Sequence, residues 1–425
     1  MDVDVVCLGE SMVTFLPSRP GRLADVPSFV RGIGGAESNV ACGLAASGHT
    51  SKWVGRVGAD GFGDHLVAAI AAYGVDTTAV QRDPSRPTGI YFRTAGERAT
   101  GAAAAPTAEA PTGTTAPAAA GAASAGVASG AATAGVASAG AASAGAAASA
   151  AVEEPLSEVV YYRAGSAASA MAPGTLAYRD LWSGRILHLS GITAALSADC
   201  LALLRELTTR APGRPIVSFD VNYRANLWHG ASHAGPTDSG PSDAGTSPRV
   251  LLDLARGADI VFIGEDEAEA AWGLTGAAAI RAALPEPDVL VVKQGSVGAT
   301  VYARAAGVGD DAERTRTDTQ PAPDTVTFVP SLTVDVVASV GAGDAFAAGF
   351  LSATLRGLPD RDRVRHGHLM AAAALTVPGD LATPPSRAHA DRLAALDARA
   401  WGTLRFGPGW IVDGAGEDQV EVRTA

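Results

Sequence analysis

The sequence predicts an α/β protein, a three-layer α/β/α sandwich with a mostly parallel sheet and an additional small β lid. Short apolar runs that are typical of buried strands alternate with longer helix-compatible stretches, and this alternation favours a parallel sheet with helices on both faces. Two aromatic runs near the front of the chain break the alternation and predict the lid. With 425 residues, of which 47% are hydrophobic, the chain is long enough to bury a large core.

Five runs predict the strands of the main sheet. Each is short and apolar and is followed by a helix-compatible or turn-rich stretch, as expected for βαβ units. Ligands of such sheets bind beyond the carboxyl ends of the strands, so we expect the functional residues there. The five runs are Val3–Leu8, Ile186–Ser190, Ile216–Val221, Asp259–Ile263 and Val289–Lys293.

The two runs that break the alternation are GIYFR at 89–93 and VVYYR within 158–163. Their aromatic and β-branched residues are typical of partly exposed strands. They therefore predict a small separate sheet or flap.

A segment at 94–154, between the two lid strands, consists almost wholly of Ala, Gly, Ser, Thr and Pro. An alanine helix is the alternative, but the recurring glycines and the lack of large apolar side chains favour disorder. A flexible chain lengthens only with the square root of its residue number, so the lid strands can remain neighbours. Smaller insertions of similar composition are predicted at 230–248 and 307–324. The sequence outside these insertions predicts one domain over residues 1–390 and a C-terminal extension at 391–425.

Charge and cysteine content exclude several classes of function. A net charge of −12 argues against nucleic acid or an anionic membrane as the partner. Cys7, Cys42 and Cys200 lack CxxC or metal-ligand spacing, which predicts buried reduced thiols. The start of the sequence, MDVDVVCLGE, is acidic where a signal peptide is basic, and no apolar run has the length of a membrane span. We therefore expect a cytoplasmic protein.

The run GAGDAFAAGF, at 341–350, predicts an anion site at the start of a buried helix. Glycines let successive backbone N–H groups converge on one point, and the following helix adds the positive end of its dipole, so the loop suits a phosphate. The carboxylate of Asp344 would repel such an anion unless it removes a proton from a hydroxyl that attacks the phosphorus. Capping of the helix N-terminus is the alternative role for this aspartate.

A second glycine-rich run, RGIGGAESN at 31–39, precedes a helix-like run at 39–47. Gly34 and Gly35 would let a small ligand approach the backbone closely. Together with the GAGD run far downstream, this arrangement resembles the ribokinase-like, or PfkB, family of carbohydrate kinases. The resemblance covers nearly all of the chain from Val3 to Gly379 outside the insertions.

Within that family, the sequence is most similar to the 2-keto-3-deoxygluconate kinases. A keto-deoxy sugar acid differs from neutral sugars by its carboxylate, which a planar guanidinium can bind in a bidentate manner. The resemblance places Arg163 and Arg224 at substrate contacts, while an ion pair with a surface carboxylate is the alternative for each. The runs that carry the resemblance are GGAESNVA (34–41), VGRVGADGFG (54–63), YYRAGSAASAMAPG (161–174), LHLSGITAALS (187–197) and DVNYRANLW (220–228).

The resemblance also implies a role for individual residues. Asp344 matches the catalytic base, and Gly341, Ala342 and Gly343 match the anion hole over the γ-phosphate. Packing within the lid is the alternative for the two tyrosines of the substrate pocket. The substrate-pocket positions are Gly34, Tyr91, Tyr161, Arg163, Ile192 and Arg224. The nucleotide positions are Asn222, Lys293, Gly295 and Gly298, together with Gly341 and Gly343.

The sequence departs from the family pattern in two motifs that place bound ions, although one acidic residue of the first motif is present. Glu267, in GEDEAEA, occupies the last place of the family's Asn-x-x-Glu motif, where it would act on magnesium through metal-bound water. Gly264 replaces the asparagine of that motif. Ala338 and Ser339 stand where these kinases usually carry Asp followed by Pro or Thr, an aspartate that helps to hold a monovalent cation. ATP and Mg²⁺ are thus the expected cofactors, and activation by a monovalent cation is in doubt.

These observations predict ATP-dependent phosphorylation of the terminal (O6) hydroxyl of 2-keto-3-deoxygluconate. One alternative is a PfkB kinase for another sugar, such as fructose, ribose or a related keto acid. Another is a sugar- or nucleotide-binding protein without turnover. The expected partners are a small sugar acid and ATP, and association of copies through the lid into a homo-oligomer stays open because the insertion lies in the lid.

Overall fold

Successive side chains of the first strand point to opposite faces of the main sheet and pack into two different cores. Val5 and Cys7 pack into one apolar core, whereas Val6 and Leu8 pack into another on the opposite face. The computed structural model describes residues 3–19, 21–94, 159–229, 248–304 and 323–411. These residues belong to one compact unit, which comprises residues 1–101 and 155–425. The predicted insertions at 94–154, 230–248 and 307–324 lie almost entirely outside the described residues.

The strands of the described residues fall into one large and several small sheets. They are β1 (Val3–Leu8), β2 (Met12–Pro17), β3 (Phe29–Gly34), β4 (Ser51–Val54), β5 (Arg56–Gly58), β6 (Gln81–Asp83), β7 (Ile90–Arg93), β8 (Val159–Tyr162), β9 (Gly184–Ser190), β10 (Ile216–Asp220), β11 (Ile260–Gly264), β12 (Val289–Lys293), β13 (Gly298–Arg304), β14 (Asp324–Pro330), β15 (Thr333–Val334) and β16 (Arg405–Phe406).

The described residues also form thirteen α-helices. They are α1 (Ala36–Ala46), α2 (Gly61–Ala72), α3 (Tyr178–Leu181), α4 (Gly191–Ala194), α5 (Ala198–Thr208), α6 (Ala225–His229), α7 (Arg249–Gly257), α8 (Glu265–Trp272), α9 (Ala277–Ala283), α10 (Ala342–Leu355), α11 (Asp360–Leu375), α12 (Arg387–Ala394) and α13 (Ala398–Thr403), with a short 3₁₀ turn at Ala167–Ala170.

The main sheet has eight strands in the order β14-β13-β12-β11-β10-β9-β1-β4. In this order, each of the strands from β12 to β4 pairs in parallel with the next. Strand β13 pairs antiparallel with both β12 and β14. Helices α5 and α7 contribute to the core on one face, and α1, α10 and α11 to the core on the other. The predicted three-layer α/β/α sandwich is therefore confirmed, and the five predicted strands are β1, β9, β10, β11 and β12.

The lid is a four-stranded sheet in the order β3-β2-β7-β8. The predicted lid strands pair antiparallel as β7 and β8, with Tyr91 opposite Tyr161. The centroids of the two tyrosine rings are 5.4 Å apart, so the rings are in contact across the strands. Because β2 follows β1 directly in the chain, the lid is attached at the carboxyl edge of the main sheet.

The structure differs from the sequence prediction at two element boundaries. Helix α1 begins at Ala36, three residues before the predicted start, so that Glu37 is a buried residue of its first turn. The predicted domain end at residue 390 falls inside α12, and β16 pairs with β15. Trp401 of α13 is 1% exposed and belongs to the core. The domain therefore continues to the end of the described residues.

The three cysteines are buried and free, as predicted. Among the described residues, none of the helices combines the length and the apolar composition that a membrane span requires.

Candidate active site

The carboxyl edge of the main sheet carries the polar residues that the topology predicts for a ligand site. Strands β10, β11 and β12 are neighbours and end at Asp220, Gly264 and Lys293. Gly264 and Lys293 are paired in register. The parallel strands thus bring side chains that are far apart in sequence to one edge.

Lys293 forms a buried ion pair with Asp220. The Nζ atom lies 2.9 Å from Oδ2 and 3.1 Å from Oδ1 of the carboxylate. Burial lowers the pKa of Lys293, but Asp220, Glu267 and Asp344 raise it more, so that the net shift is upward. The site therefore holds a fixed positive charge at the predicted nucleotide position.

The first turn of α10 lies beside this lysine. Gly341 caps the helix with φ 81°, and a side chain there would also overlap the carbonyl oxygen of Asp380. A Cβ atom on Gly343 would lie 3.6 Å from Lys293 Nζ. The structure thus brings the predicted anion-hole residues Gly341, Ala342 and Gly343 next to a cation at a helix N-terminus, an arrangement that suits a phosphate.

Asp344 is the third residue of α10, and its carboxylate does not cap the helix. Instead, its Oδ2 accepts a hydrogen bond from Asn39 Nδ2 at 2.8 Å. Burial, together with the charge of Asp220, raises the pKa of Asp344 to about 7, although the hydrogen bond from Asn39 and the charges of Arg224 and Lys293 oppose the shift. The capping alternative is therefore wrong, and the carboxyl group is suited to accept a proton near neutral pH.

Arg224 and Glu267 meet beside this carboxylate. Arg224 Nη1 lies 3.1 Å from Glu267 Oε1 and donates to the carbonyl oxygen of Tyr223, while 45% of the side chain stays exposed. Glu267 Oε2 accepts the backbone N–H of Gly264 at 3.0 Å. Glu267 therefore binds the backbone at the position where the family motif carries an asparagine, and Arg224 keeps an open side for a ligand.

Arg163 is more deeply engaged than Arg224. Its guanidinium forms an ion pair with Glu10, and both side chains are buried. Ser166 donates a hydrogen bond of 2.6 Å to the same carboxylate. The charge of Arg163 is therefore compensated inside the protein, by a buried carboxylate and not by the surface carboxylate of the alternative interpretation.

The remaining substrate-pocket positions lie around the lid. Gly34 ends β3, and a side chain there would overlap the hydroxyl of Tyr91 and the carboxylate of Asp380. Tyr91 is buried and packs on Tyr161, which is 44% exposed. Ile192 is half-buried on α4. Ser190 and Thr193, close to it in the chain, each donate a 2.7 Å hydrogen bond to the buried carboxylate of Glu37.

The predicted nucleotide positions Asn222, Gly295 and Gly298 differ in how closely the rest of the protein packs around them. Asn222 follows β10 with φ 42°, a left-handed conformation that asparagine tolerates better than most residues. Its buried Oδ1 has no hydrogen-bond partner among the described residues. Gly295 has φ 56° and open space around it, whereas Gly298 lies against the Val329 carbonyl of β14. Packing of the antiparallel strands thus accounts for Gly298.

Sequence reasoning missed four polar residues that hold the predicted ones in place: Glu10, Asn39, Asp220 and Asp380. Asn39 and Asp220 lie inside runs that carry the family resemblance, and Asp220 ends a buried strand at the edge where ligands bind. Their position at strand and helix termini is the signal that could have identified them.

Comparison with known proteins identifies the family of this chain. The profile of the pfkB family carbohydrate kinases matches residues 2–156 and 157–387. The 2-dehydro-3-deoxygluconokinase of Bacillus subtilis is 29% identical over 391 residues, 91% of this chain and 94% of that protein. The probable chloroplastic fructokinase-6 of Arabidopsis thaliana is 26% identical over 386 residues, 88% of this chain and 77% of that protein.

The crystal structure of a PfkB protein from Polaromonas sp. JS666 has a TM-score of 0.62 and 29% sequence identity. The match covers 92% of this chain and 99% of that chain. Since the family profile spans both sides of the lid insertion and includes the Asp344 loop, the chain belongs to the PfkB family of carbohydrate kinases and is a sugar kinase.

Proposed function

We propose that this kinase transfers the γ-phosphoryl group of ATP to the terminal (O6) hydroxyl of 2-keto-3-deoxygluconate. The observation that carries the kinase chemistry is the half-buried Asp344, held by Asn39 at the start of α10 beside Arg224 and Lys293. The sugar acid is supported by the similarity to the B. subtilis 2-dehydro-3-deoxygluconokinase and by the exposed guanidinium of Arg224. An acidic protein of this kind is expected to act in the cytoplasm, with no nucleic acid or membrane as its partner.

The residues of the site divide the reaction between them. Asp344 removes the proton from the attacking hydroxyl, whose oxygen then forms the bond to the γ-phosphorus as the bond to the ADP oxygen breaks. The first amides of α10, at Ala342 and Gly343, and the ammonium of Lys293 stabilise the charge on the transferred group. Arg224 binds the substrate carboxylate, and Tyr161 and Ile192 enclose the sugar chain.

Magnesium fits the site in an indirect way. Within the described residues, no cluster of three or more His, Cys, Asp or Glu side chains could hold a metal ion. Mg²⁺ keeps several waters and binds through one or two carboxylates together with substrate phosphates. Asp220 and Glu267 supply carboxylate oxygens at the nucleotide side, and Glu267 would contact the ion through water. When bound, the ion neutralises charge on the phosphates.

Turnover and the identity of the product test this function. We expect ADP release with ATP, Mg²⁺ and 2-keto-3-deoxygluconate, and a product whose phosphorus couples to the protons at carbon 6 in a ³¹P NMR spectrum. Phosphorylation at another hydroxyl would contradict the O6 assignment. ATP and sugar binding without ADP release would favour the binding-protein alternative.

A kinase for a neutral sugar is a second candidate. Arg163 is compensated by Glu10, so the site has less free positive charge than the sequence predicts. The match to a fructokinase over most of the chain is consistent with that candidate. Release of ADP with fructose or ribose at rates equal to those with the sugar acid would support it.

The pH dependence of the reaction reports the state of Asp344. Its pKa is about 7 because it is buried, so the carboxyl group is protonated and inactive as a base below that pH. We expect kcat/KM to rise with pH and to level off above neutrality. Asn39→Ala removes a hydrogen bond that lowers this pKa and is expected to move the acid limb to higher pH. An unchanged limb in Asn39→Ala would contradict the assignment of Asp344 as the titrating base.

Potassium is expected to have no effect on turnover. Ala338 is buried and has no side-chain oxygen, and Ser339 is neutral, so the carboxylate that usually holds a monovalent cation is replaced. The measurement compares the rate of ADP release in potassium and in tetramethylammonium salts at equal ionic strength. A clear increase specific to potassium would show that other groups complete a cation site.

A further inference from the structure

Asp380 lies between α11 and α12, buried where the lid meets the start of α10. Its carboxylate receives two groups from strand β7. The hydroxyl of Tyr91 donates a hydrogen bond to Oδ2, and Arg93 Nη2 lies 2.8 Å from Oδ1. Arg93 Nη2 also donates to the Pro378 carbonyl oxygen at 2.9 Å.

The charge of Asp380 is compensated only because the lid is in place. Both side chains of the Arg93–Asp380 pair are 3% exposed, and an isolated buried carboxylate is strongly disfavoured. Burial raises the pKa of Asp380, whereas Arg93 and Tyr91 lower it. The described residues place no other guanidinium or ammonium group in an ion pair with this carboxylate. Displacement of β7 would therefore leave Asp380 without its cation.

The backbone of Asp380 is in contact with the proposed phosphoryl-binding loop. Its carbonyl oxygen lies so close to Gly341 that a Cβ atom there would overlap it. On the other side, its carboxylate and the Tyr91 hydroxyl lie against Gly34 in the same way. Glycines at these two positions allow the close approach, so Asp380 touches both glycine-rich loops and the lid at once.

We propose that Asp380 is a positioning residue that couples the lid to the first turn of α10. Through Tyr91 and Arg93 the lid holds the Asp380 carboxylate, and through its carbonyl group Asp380 holds Gly341, which starts the loop beside Asp344. The inference rests on the proposed function in one respect only, which is the binding of the transferred phosphoryl group by the loop that Gly341 starts.

Hydrogen exchange of the full chain without ligands tests the coupling independently of the substrate. Asp380→Asn keeps the shape of the side chain and removes its charge. We expect exchange to become faster by roughly tenfold or more at the β7 amides and at the Ala345 amide, which donates to the Gly341 carbonyl oxygen at 2.9 Å, because hydrogen bonds to charged groups are strong.

Asp324→Asn is the matched control. Asp324 forms a bidentate ion pair with Arg281, with both N–O distances 2.7 Å, at the far edge of the main sheet. This variant is expected to leave exchange at β7 and at Ala345 unchanged. Faster exchange at β7 alone in Asp380→Asn would overturn the coupling, and so would equal effects of the two variants.

Milder variants keep the proposal testable if Asp380→Asn does not fold. Tyr91→Phe removes only the hydroxyl, and Arg93→Lys keeps the positive charge. Tyr91→Phe is expected to speed exchange at Ala345, and Arg93→Lys to do so less than Arg93→Gln. In kinetic assays with any sugar that the parent phosphorylates, Asp380→Asn is expected to raise the KM for the sugar and to lower kcat, and the KM for ATP is measured in the same assays. A loss of thermal stability alone, with both KM values and kcat unchanged, would overturn it.

Discussion

Asp344→Asn is expected to lower kcat by about 10²–10⁴-fold, the range that a positioned general base contributes. The amide has the size of the carboxylate, but it cannot accept the proton of the attacking hydroxyl. The residue is half-buried and bound to Asn39, and the amide has the same size, so the change removes the base without opening the site. The measurement is the rate of ADP release at saturating ATP and sugar, together with dissociation constants for both ligands.

Affinity and a matched variant separate loss of chemistry from loss of structure. Asp64 lies in the first turn of α2, is 76% exposed and pairs with Arg82, so Asp64→Asn is expected to retain full activity. Asp344→Asn is expected to bind ATP and sugar with affinities close to those of the parent. If Asp344→Asn retained most of the parent's turnover, the result would contradict the assignment of Asp344 as the catalytic base.

Arg224→Gln is expected to lower kcat/KM for the sugar acid by roughly 10- to 150-fold, because a hydrogen bond to a charged group contributes about 1.5–3 kcal/mol. The rate with a neutral sugar is expected to fall less, since that sugar has no carboxylate to lose its partner. Arg224→Lys keeps the charge but not the planar pair of donors, and an intermediate value is expected for it.

The surface arginine Arg185 provides the control for this substitution. It is 53% exposed and lies 3.6 Å from Asp4, away from the carboxyl edge of the sheet, so Arg185→Gln is expected to leave both rates unchanged. Equal losses for the acid and for a neutral sugar in Arg224→Gln would contradict recognition of the carboxylate. In that case the ion pair with Glu267 would be the main role of Arg224.

The fold was largely predictable because its signals are local. Strands such as Val3–Leu8 and Val289–Lys293 are continuous apolar runs, and the structure places them where the sequence does. The antiparallel β13 and β14 were not predicted, since neither is a continuous apolar run and the edge strand β14 is largely exposed. The early start of α1 was missed because Glu37 reads as a solvent residue, whereas Ser190 and Thr193 satisfy its carboxylate inside the protein.

The members of the site were easier to predict than their partners. The glycines before Asp344 identify the anion loop from a few consecutive residues. The pairs Asn39–Asp344, Asp220–Lys293 and Arg93–Asp380 join residues that are distant in sequence and meet only in the folded chain. The same reason applies to Arg163, whose pairing with Glu10 depends on the placement of β8 against the end of β1.

A competition experiment tests the central claim most directly. The enzyme receives equal concentrations of 2-keto-3-deoxygluconate, fructose and ribose with limiting ATP and Mg²⁺, and mass spectrometry measures the phosphorylated products. The ratio of products gives the ratio of kcat/KM values. The account predicts that the phosphorylated sugar acid dominates and that Arg224→Gln reduces this preference. Predominance of fructose phosphate or ribose phosphate would contradict the account.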